Sequence, residues 1–322
     1  MTPEGSRAGT ARYLILAGGL SHERDVSLKS GRRVLDALRS VGVDATLRDA
    51  DAGLLGHLTA TAYDAVLVAL HGGAGEDGAL REVLDIAEVP YVGSTPAACR
   101  IAWDKPTAKA LAVRAGLSTP ASVVLPHAAF RELGAAAVLD RLVGHLGLPL
   151  MVKPARGGSA LGCTTVDKAD ELPSAMVSCF SYGEAALVER FVTGTELAVT
   201  VVDTGDGPWA LPAVEIVPLS GVYDYTARYT AGQTEFFAPA RLPESLAVSV
   251  ATVAVAAHTA LGLRDLSRVD LVVEPSGEVQ LLEVNTSPGM TETSLLPLAV
   301  EAAGRSLGEL LRDLLVLAAG RR

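Results

Sequence analysis

Asp270, Glu283 and Asn285 are the residues whose types and spacing speak most directly of chemistry. They fall on two apolar-rich runs, Arg268 to Val273 and Val279 to Asn285, joined through Pro275-Ser276-Gly277-Glu278. A two-residue turn at Ser276-Gly277 would fold the runs into a hairpin. A turn centred there pairs Asp270 with Glu283 and places Asn285, two residues on, on the same face as Glu283. Like charges directly opposite on a sheet repel unless a cation lies between them. Two carboxylates and an amide oxygen suit Mg²⁺, with phosphate oxygens completing its shell. Two solvated carboxylates on a half-exposed hairpin are the alternative reading of the same residues.

A second constellation lies in the middle of the chain. The apolar run Leu148 to Val152 ends in Lys153, and Arg156-Gly157-Gly158-Ser159-Ala160-Leu161-Gly162 follows. Glycines let backbone N–H groups approach a phosphate, and a lysine at a strand end supplies a point charge. Neither GxxxxGK[ST] nor GxGxxG occurs, so the loop is not a Walker or dinucleotide loop. Only five of the 27 basic residues are lysine, and Lys105 and Lys153 are two of them.

These groups need elements to hold them. Arg12 to Ala17 reads as a strand meeting Gly18-Gly19, and Asp25 to Leu38 as a helix. Ala65 to Leu70 reads as a second strand ending at His71-Gly72-Gly73, followed by a helix over Leu80 to Ala87 and a short strand at Pro90 to Gly93. Such alternation builds a parallel α/β sheet whose ligands sit at the loops after its strands. Lys105 to Ala115 reads as a helix closed by Gly116, with a domain boundary near residue 100. Strands to Lys153 and over Ala186 to Phe191 follow, and the last third reads as Ala/Val/Leu helices around the hairpin.

Composition narrows the partners. At 322 residues, 49% hydrophobic and 20% charged, the chain buries a large core in two or three domains. The net charge of -10, without a basic stripe, argues against nucleic acid. No apolar stretch reaches the roughly 18 residues of a membrane span, and the N-terminus is not signal-like, so a cytoplasmic protein is expected. Cys99, Cys163 and Cys179 are expected to be reduced, structural thiols.

Together these pieces resemble the D-alanine:D-alanine ligase family of the ATP-grasp superfamily, from Tyr13 to about Leu315. The resemblance is carried by GGLSHERDVSLKSG (18 to 31), ALHGGAGEDGALR (69 to 81), VKPARGGSALG (152 to 162), YDYTARY (223 to 229) and RVDLVVEPSGEVQLLEVNTSPGMTETSL (268 to 295). It implies an α/β (α+β) ATP-grasp fold. An N-terminal parallel-sheet α/β domain (1–100) would precede a small central domain (101–190) and a C-terminal domain with the metal hairpin (191–322).

The resemblance further implies that Asp270, Glu283 and Asn285 hold two Mg²⁺ ions, with Mn²⁺ an alternative metal. ATP would meet Lys105, Lys153, Gly158, Glu189, Arg190, Val192, Glu196, Arg228 and Leu282. Glu23 would receive the first substrate's ammonium in a network with Ser159 and Tyr229, while Arg268 and the Gly289 N–H would form an oxyanion hole. Val26, His71, Arg228, Ser294 and Leu295 would contact the amino-acid substrates, and Ser220 to Pro239 would cover them as a lid. The implied reaction joins two D-alanines through a D-alanyl phosphate for peptidoglycan precursors, in a homodimeric enzyme of the cytoplasm. Family members usually carry Lys where this chain has Arg228, and a second Ser where it has Ala160. Those departures keep open a paralogous ligase for other D-amino acids or a specialised metabolite. A nucleotide-binding protein without turnover is the remaining alternative.

Overall fold

The computed structural model describes residues 11–230 and 232–321, apart from the side chains of Tyr225 and Tyr229. Its first unit runs β1 (Tyr13–Ala17), α1 (Arg24–Ser40), β2 (Ala45–Asp49), α2 (Leu54–Ala60), β3 (Ala65–Val68), α3 (Ala79–Ile86), β4 (Tyr91–Val92) and α4 (Pro96–Trp103). The strands form a parallel sheet in the order β2-β1-β3-β4. β1 and β3 are apolar at every position because both faces are covered. Leu14, Leu16, Val66 and Val68 pack against α2 and α3, whereas Tyr13, Ile15, Ala65 and Leu67 pack against α1 and the C-terminal helix.

The second unit runs α5 (Lys105–Arg114), β5 (Ser122–Pro126), α6 (His127–Leu133), α7 (Ala135–Leu146), β6 (Leu150–Pro154), β7 (Thr164–Val166), α8 (Leu172–Phe180) and β8 (Ala185–Arg190). These strands are antiparallel in the order β5-β8-β6-β7. Leu139 and Leu142 of α7 and Leu172 and Met176 of α8 pack on Leu150, Val152 and Val188. α5 begins with Asp104, whose carboxylate accepts the Thr107 N–H at 3.0 Å and caps the helix.

The third unit runs β9 (Thr195–Val202), β10 (Trp209–Ala210), β11 (Val214–Pro218), α9 (Tyr225–Tyr229), β12 (Thr234–Phe237), α10 (Glu244–Ala260), β13 (Leu266–Val273), β14 (Val279–Asn285), α11 (Leu295–Ala302) and α12 (Leu307–Ala319). Its sheet has the order β12-β11-β9-β13-β14, with β10 on the end of β9. α10 with α4 and α5 covers one face; α11 and α12 cover the other and join it to the first sheet in one core. β13 is buried along its whole length, so the expected hairpin is the edge of a larger sheet rather than a half-exposed ribbon. β9, its inner neighbour, went unread in the sequence.

The turn of that hairpin corrects the sequence expectation. The Glu274 N–H donates to Glu278 O at 2.9 Å and the Gly277 N–H to Glu274 O at 2.8 Å, so the loop has three residues, Pro275 to Gly277. Gly277, at φ +87°, supplies the left-handed residue such a loop requires. The register beside the turn therefore pairs Leu271 with Leu281, not with Leu282. A bulge then inserts Leu282, and beyond it Asp270 pairs with Glu283 and Arg268 with Asn285. Two departures of one residue cancel, which is why the expected carboxylate pair nevertheless forms.

Candidate active site

Two adjoining cavities, of about 1050 and 150 Å³, lie where the three sheets converge. Both are bounded by Lys105, Gly158, Tyr223, Arg228 and Glu283, so these residues stand at their junction. The smaller cavity takes in Lys153, Glu189, Arg190, Val192, Glu196, Asp270 and Leu282. The larger takes in Glu23, Val26, His71, Ser159, Arg268, Asn285, Gly289, Ser294 and Leu295. Of the expected site residues, only the Tyr229 side chain lies outside the described residues.

At the junction the two carboxylates each face a cation. Arg268 donates from Nε to Asp270 Oδ1 at 2.7 Å and from Nη2 to Oδ2 at 2.8 Å. Lys105 Nζ is 3.3 Å from Glu283 Oε2. Burial pushes the Glu283 carboxyl up, but Lys105 and Lys153 outweigh it and hold it at about 2. The Asn285 side-chain oxygen accepts the Ser287 N–H at 2.7 Å, which orients the amide. Two ionisable carboxylates and a held amide oxygen are hard donors, and they fit a divalent cation bound together with phosphate oxygens. The bulge contributes here: Leu282 and Glu283, adjacent in sequence, both border the smaller cavity, which regular alternation would forbid.

The Gly-rich loop is tied to the start of α5. Lys105 Nζ donates to Gly157 O at 2.6 Å, and the Arg156 Nε donates to Asp104 Oδ2 at 2.8 Å. Ser159 and Ala160 are both left-handed, at φ +53° and +55°, a strained pair for residues with a Cβ. The Ser159 hydroxyl donates to Glu23 Oε1, joining the second unit to the loop after β1. Gly72 lies against the same carboxylate: a Cβ there would overlap Glu23 Oε2.

His71 is 4% exposed, with Nδ1 3.0 Å from Ser287 O and Nε2 2.8 Å from Ser30 Oγ. A carbonyl can only accept, so Nδ1 carries the proton and Nε2 accepts from the serine. Burial holds the imidazole below its usual pKa, against the pull of Glu23. Glu76 is a site residue the sequence reading missed, although it lies in the quoted segment 69 to 81. It borders the larger cavity and accepts the Gly72 N–H at 2.8 Å; burial, reinforced by Glu23, raises its carboxyl to about 7.

In the smaller cavity Glu189 is 2% exposed and faces Lys153 at 2.5 Å and Lys109 at 2.6 Å. Lys109 is the second residue missed; its position four after Lys105 on one helix was the available signal. Burial raises Glu196 to about 7 against the charge of Arg228. The Arg190 side chain is turned outward to Glu274, at 3.1 Å. Cys163 borders this cavity, with its thiol pushed up by burial.

Over the junction, the Arg228 guanidinium stacks on Tyr223 at 4.5 Å and donates from Nε to Tyr223 O at 3.2 Å. Burial opposes its charge, but Glu283 and Tyr223 keep it protonated. Across the larger cavity, Ser294 Oγ accepts the Thr291 N–H at 2.9 Å and stands before the free N–H groups that open α11 at Leu295. A Cβ on Gly289 would come within 2.8 Å of that oxygen. The arrangement can therefore hold a polyanion in one cavity and a small carboxylate in the other, with cations where they meet.

Residues 111–316 match the family model described as D-ala D-ala ligase C-terminus. The D-alanine--D-alanine ligase of Bordetella petrii is 42% identical over 296 residues, 92% of this chain and 88% of that protein. That of Pelotomaculum thermopropionicum is 38% identical over 309 residues, 96% of this chain and 97% of its own length. Among solved structures, the VanG D-Ala:D-Ser ligase of Enterococcus faecalis superposes with a TM-score of 0.83 at 28% identity, covering 96% of this chain and all of that one. The D-alanine--D-alanine ligase of Bacillus anthracis complexed with ATP gives 0.78 at 29% identity, over 97% of each chain.

Proposed function

Because the chain belongs to the D-alanine--D-alanine ligase family, we propose that its two cavities join two D-alanines at the expense of one ATP. The products are D-alanyl-D-alanine, ADP and phosphate, and the dipeptide supplies peptidoglycan precursors. The observation that carries this reading is the junction, where Lys105, Gly158, Arg228 and Glu283 border the nucleotide and amino-acid cavities at once.

A carboxylate resists attack by an amine until its oxygen becomes part of a leaving group. The γ-phosphoryl group of ATP transfers to the first D-alanine's carboxylate oxygen, giving D-alanyl phosphate and ADP. Lys105, Lys153 and Arg228 neutralise that transfer, and Gly158 lets the loop lie against the phosphates. Glu23, ordered by Ser159, receives the first substrate's ammonium. Ser294 and the Leu295 N–H take the second substrate's carboxylate, leaving its amine within reach of the acyl carbon. The N–C bond forms, Arg268 and the Gly289 N–H meet the developing oxyanion, and phosphate departs with the C–O electron pair and takes up the proton that the amine nitrogen loses. When bound, two Mg²⁺ ions at Asp270, Glu283 and Asn285 supply charge neutralisation for the phosphates. Segment 220–239 excludes water, which would hydrolyse the acylphosphate.

Three domain units (1–100, 101–190 and 191–322), a homodimer and a cytoplasmic location complete the proposal; they follow the family pattern. Among the described residues, no helix is long and apolar enough to cross a membrane. The test is phosphate release from MgATP with D-alanine, D-serine, D-lactate and L-alanine, singly and in pairs, with products identified by mass. D-alanine alone is expected to give the dipeptide. Asp270→Ala is expected to lower turnover by about a thousandfold or more, and undiminished turnover in that variant would refute the mechanism.

A further inference from the structure

Lys109 is a buried lysine for which the ligation chemistry has no use. Its Nζ lies 2.6 Å from Glu189 Oε2 and donates to Thr119 Oγ1 at 2.7 Å. The Thr119 hydroxyl donates in turn to Leu281 O at 2.9 Å, and the Leu281 N–H donates to Ser118 O at 2.8 Å. Leu281 immediately precedes Leu282, the bulged residue bordering the nucleotide cavity. Lys109 thus ties β8, through Glu189, to the outer edge of β14, two elements that belong to different sheets. Lys153, at 2.5 Å, occupies the other oxygen of Glu189.

An ionised carboxylate accepts hydrogen bonds and never donates them. Burial pushes the Glu189 carboxyl up, yet the two lysines more than offset it and keep the group charged. A purine with an amino group at C6 presents a donor to such an acceptor, whereas a C6 carbonyl presents a second acceptor and is repelled. We propose that Lys109 is a positioning residue for base selection: it fixes Glu189 and, through Thr119, the Leu282 bulge as two sides of a cleft that admits 6-aminopurine and rejects 6-oxopurine nucleotides. The proposal rests on the reading that the smaller cavity receives the base of ATP.

ATP and ITP differ only at purine C6 and in the proton that the 6-oxopurine carries on the adjoining N1, so the test compares their kcat and KM at saturating D-alanine for the unaltered enzyme, Lys109→Met, Lys109→Arg and Thr119→Val. Lys109→Met is expected to raise the KM for ATP about tenfold and to cut the ATP-to-ITP ratio of kcat/KM about tenfold, with kcat for ATP within about threefold. Lys109→Arg, which keeps the charge, should recover most of both. A fall in kcat with KM and the base ratio unchanged would make Lys109 a purely structural residue and overturn the proposal. Should Lys109→Met fail to fold, Thr119→Val decides: it cuts the tie to β14, and an unchanged KM for ATP would overturn the proposal as well. An unaltered enzyme that takes ATP and ITP equally would instead sink the placement of the base against Glu189, leaving the ligase reading to its own assay.

Discussion

Glu76 and Glu283 border one cavity and are driven in opposite directions. Burial, with Glu23 beside it, raises Glu76 to about 7, while Lys105 and Lys153 hold Glu283 at about 2. The folded protein therefore binds more protons at Glu76 than the unfolded chain does between the ordinary carboxyl value of 4.5 and about 7. Stability from this group is complete below that window and falls through it as pH rises, by roughly 3 kcal/mol in all. Glu283 has the reverse sign: its contribution is present above the ordinary value and is lost as pH falls toward about 2. Glu76→Gln keeps an acceptor for the Gly72 N–H and removes the titration. Its melting temperature should exceed that of the unaltered protein by several degrees near about pH 8 and match it near about pH 5. Equal shifts at both pH values would mean that Glu76 does not titrate as described.

At the scale of elements, close approach decides which glycines matter. Gly308, at the start of α12, lies so near α1 that a Cβ would overlap the Ala37 carbonyl oxygen. Gly56, inside α2, has nothing within 4 Å of the same position. Gly308→Ala should cost roughly 1–3 kcal/mol by forcing the helices apart. Gly56→Ala should add about 0.5–1 kcal/mol by restricting the unfolded chain and favouring the helix. Denaturant midpoints measure both, and shifts of the same sign would contradict the packing of α1 on α12. The bulge at Leu282 belongs to this scale too, since it turns an apolar side chain and a carboxylate from one strand into the same cavity.

The whole molecule closes the site through contacts between distant segments. Ser159 reaches Glu23, His71 reaches Ser287 O, and Lys105 reaches Glu283. Gly93 N–H donates to Asp265 Oδ2 at 2.7 Å, and Arg321 pairs with the same carboxylate, so the first and third units are clamped away from the cavities as well. A nucleotide in the smaller cavity would touch both the second and third sheets, and ligand that binds only the folded state stabilises it by mass action. MgATP at about a hundred times its dissociation constant should therefore add about 2.7 kcal/mol, read as a higher melting temperature. Chelating the metal with EDTA should remove most of that rise, and so should Asp270→Ala. A rise unaffected by EDTA would mean that nucleotide binding needs no metal, and one lost with EDTA but kept in Asp270→Ala would place the metal elsewhere than at Asp270, Glu283 and Asn285.

Local matters were legible in the residues: β1 as a short apolar run, α1 by apolar spacing, α5 by the Gly116 that closes it, the Gly-rich loop after Lys153, and the carboxylate hairpin. Each depends on neighbours a few residues apart, where period and turn chemistry are readable. That β9 flanks β13 emerges in the packed molecule, because a strand buried on both faces carries no period to distinguish it from a helix segment. Packing likewise sets the three-residue loop and the bulge that, in place of a two-residue turn, bring Asp270 opposite Glu283. Glu76 and Lys109 stand in legible segments, but what each does was not readable there. A carboxyl raised to about 7 and a lysine shared between Glu189 and Thr119 owe their properties to burial and to partners far along the chain, and burial is a property of the packed molecule.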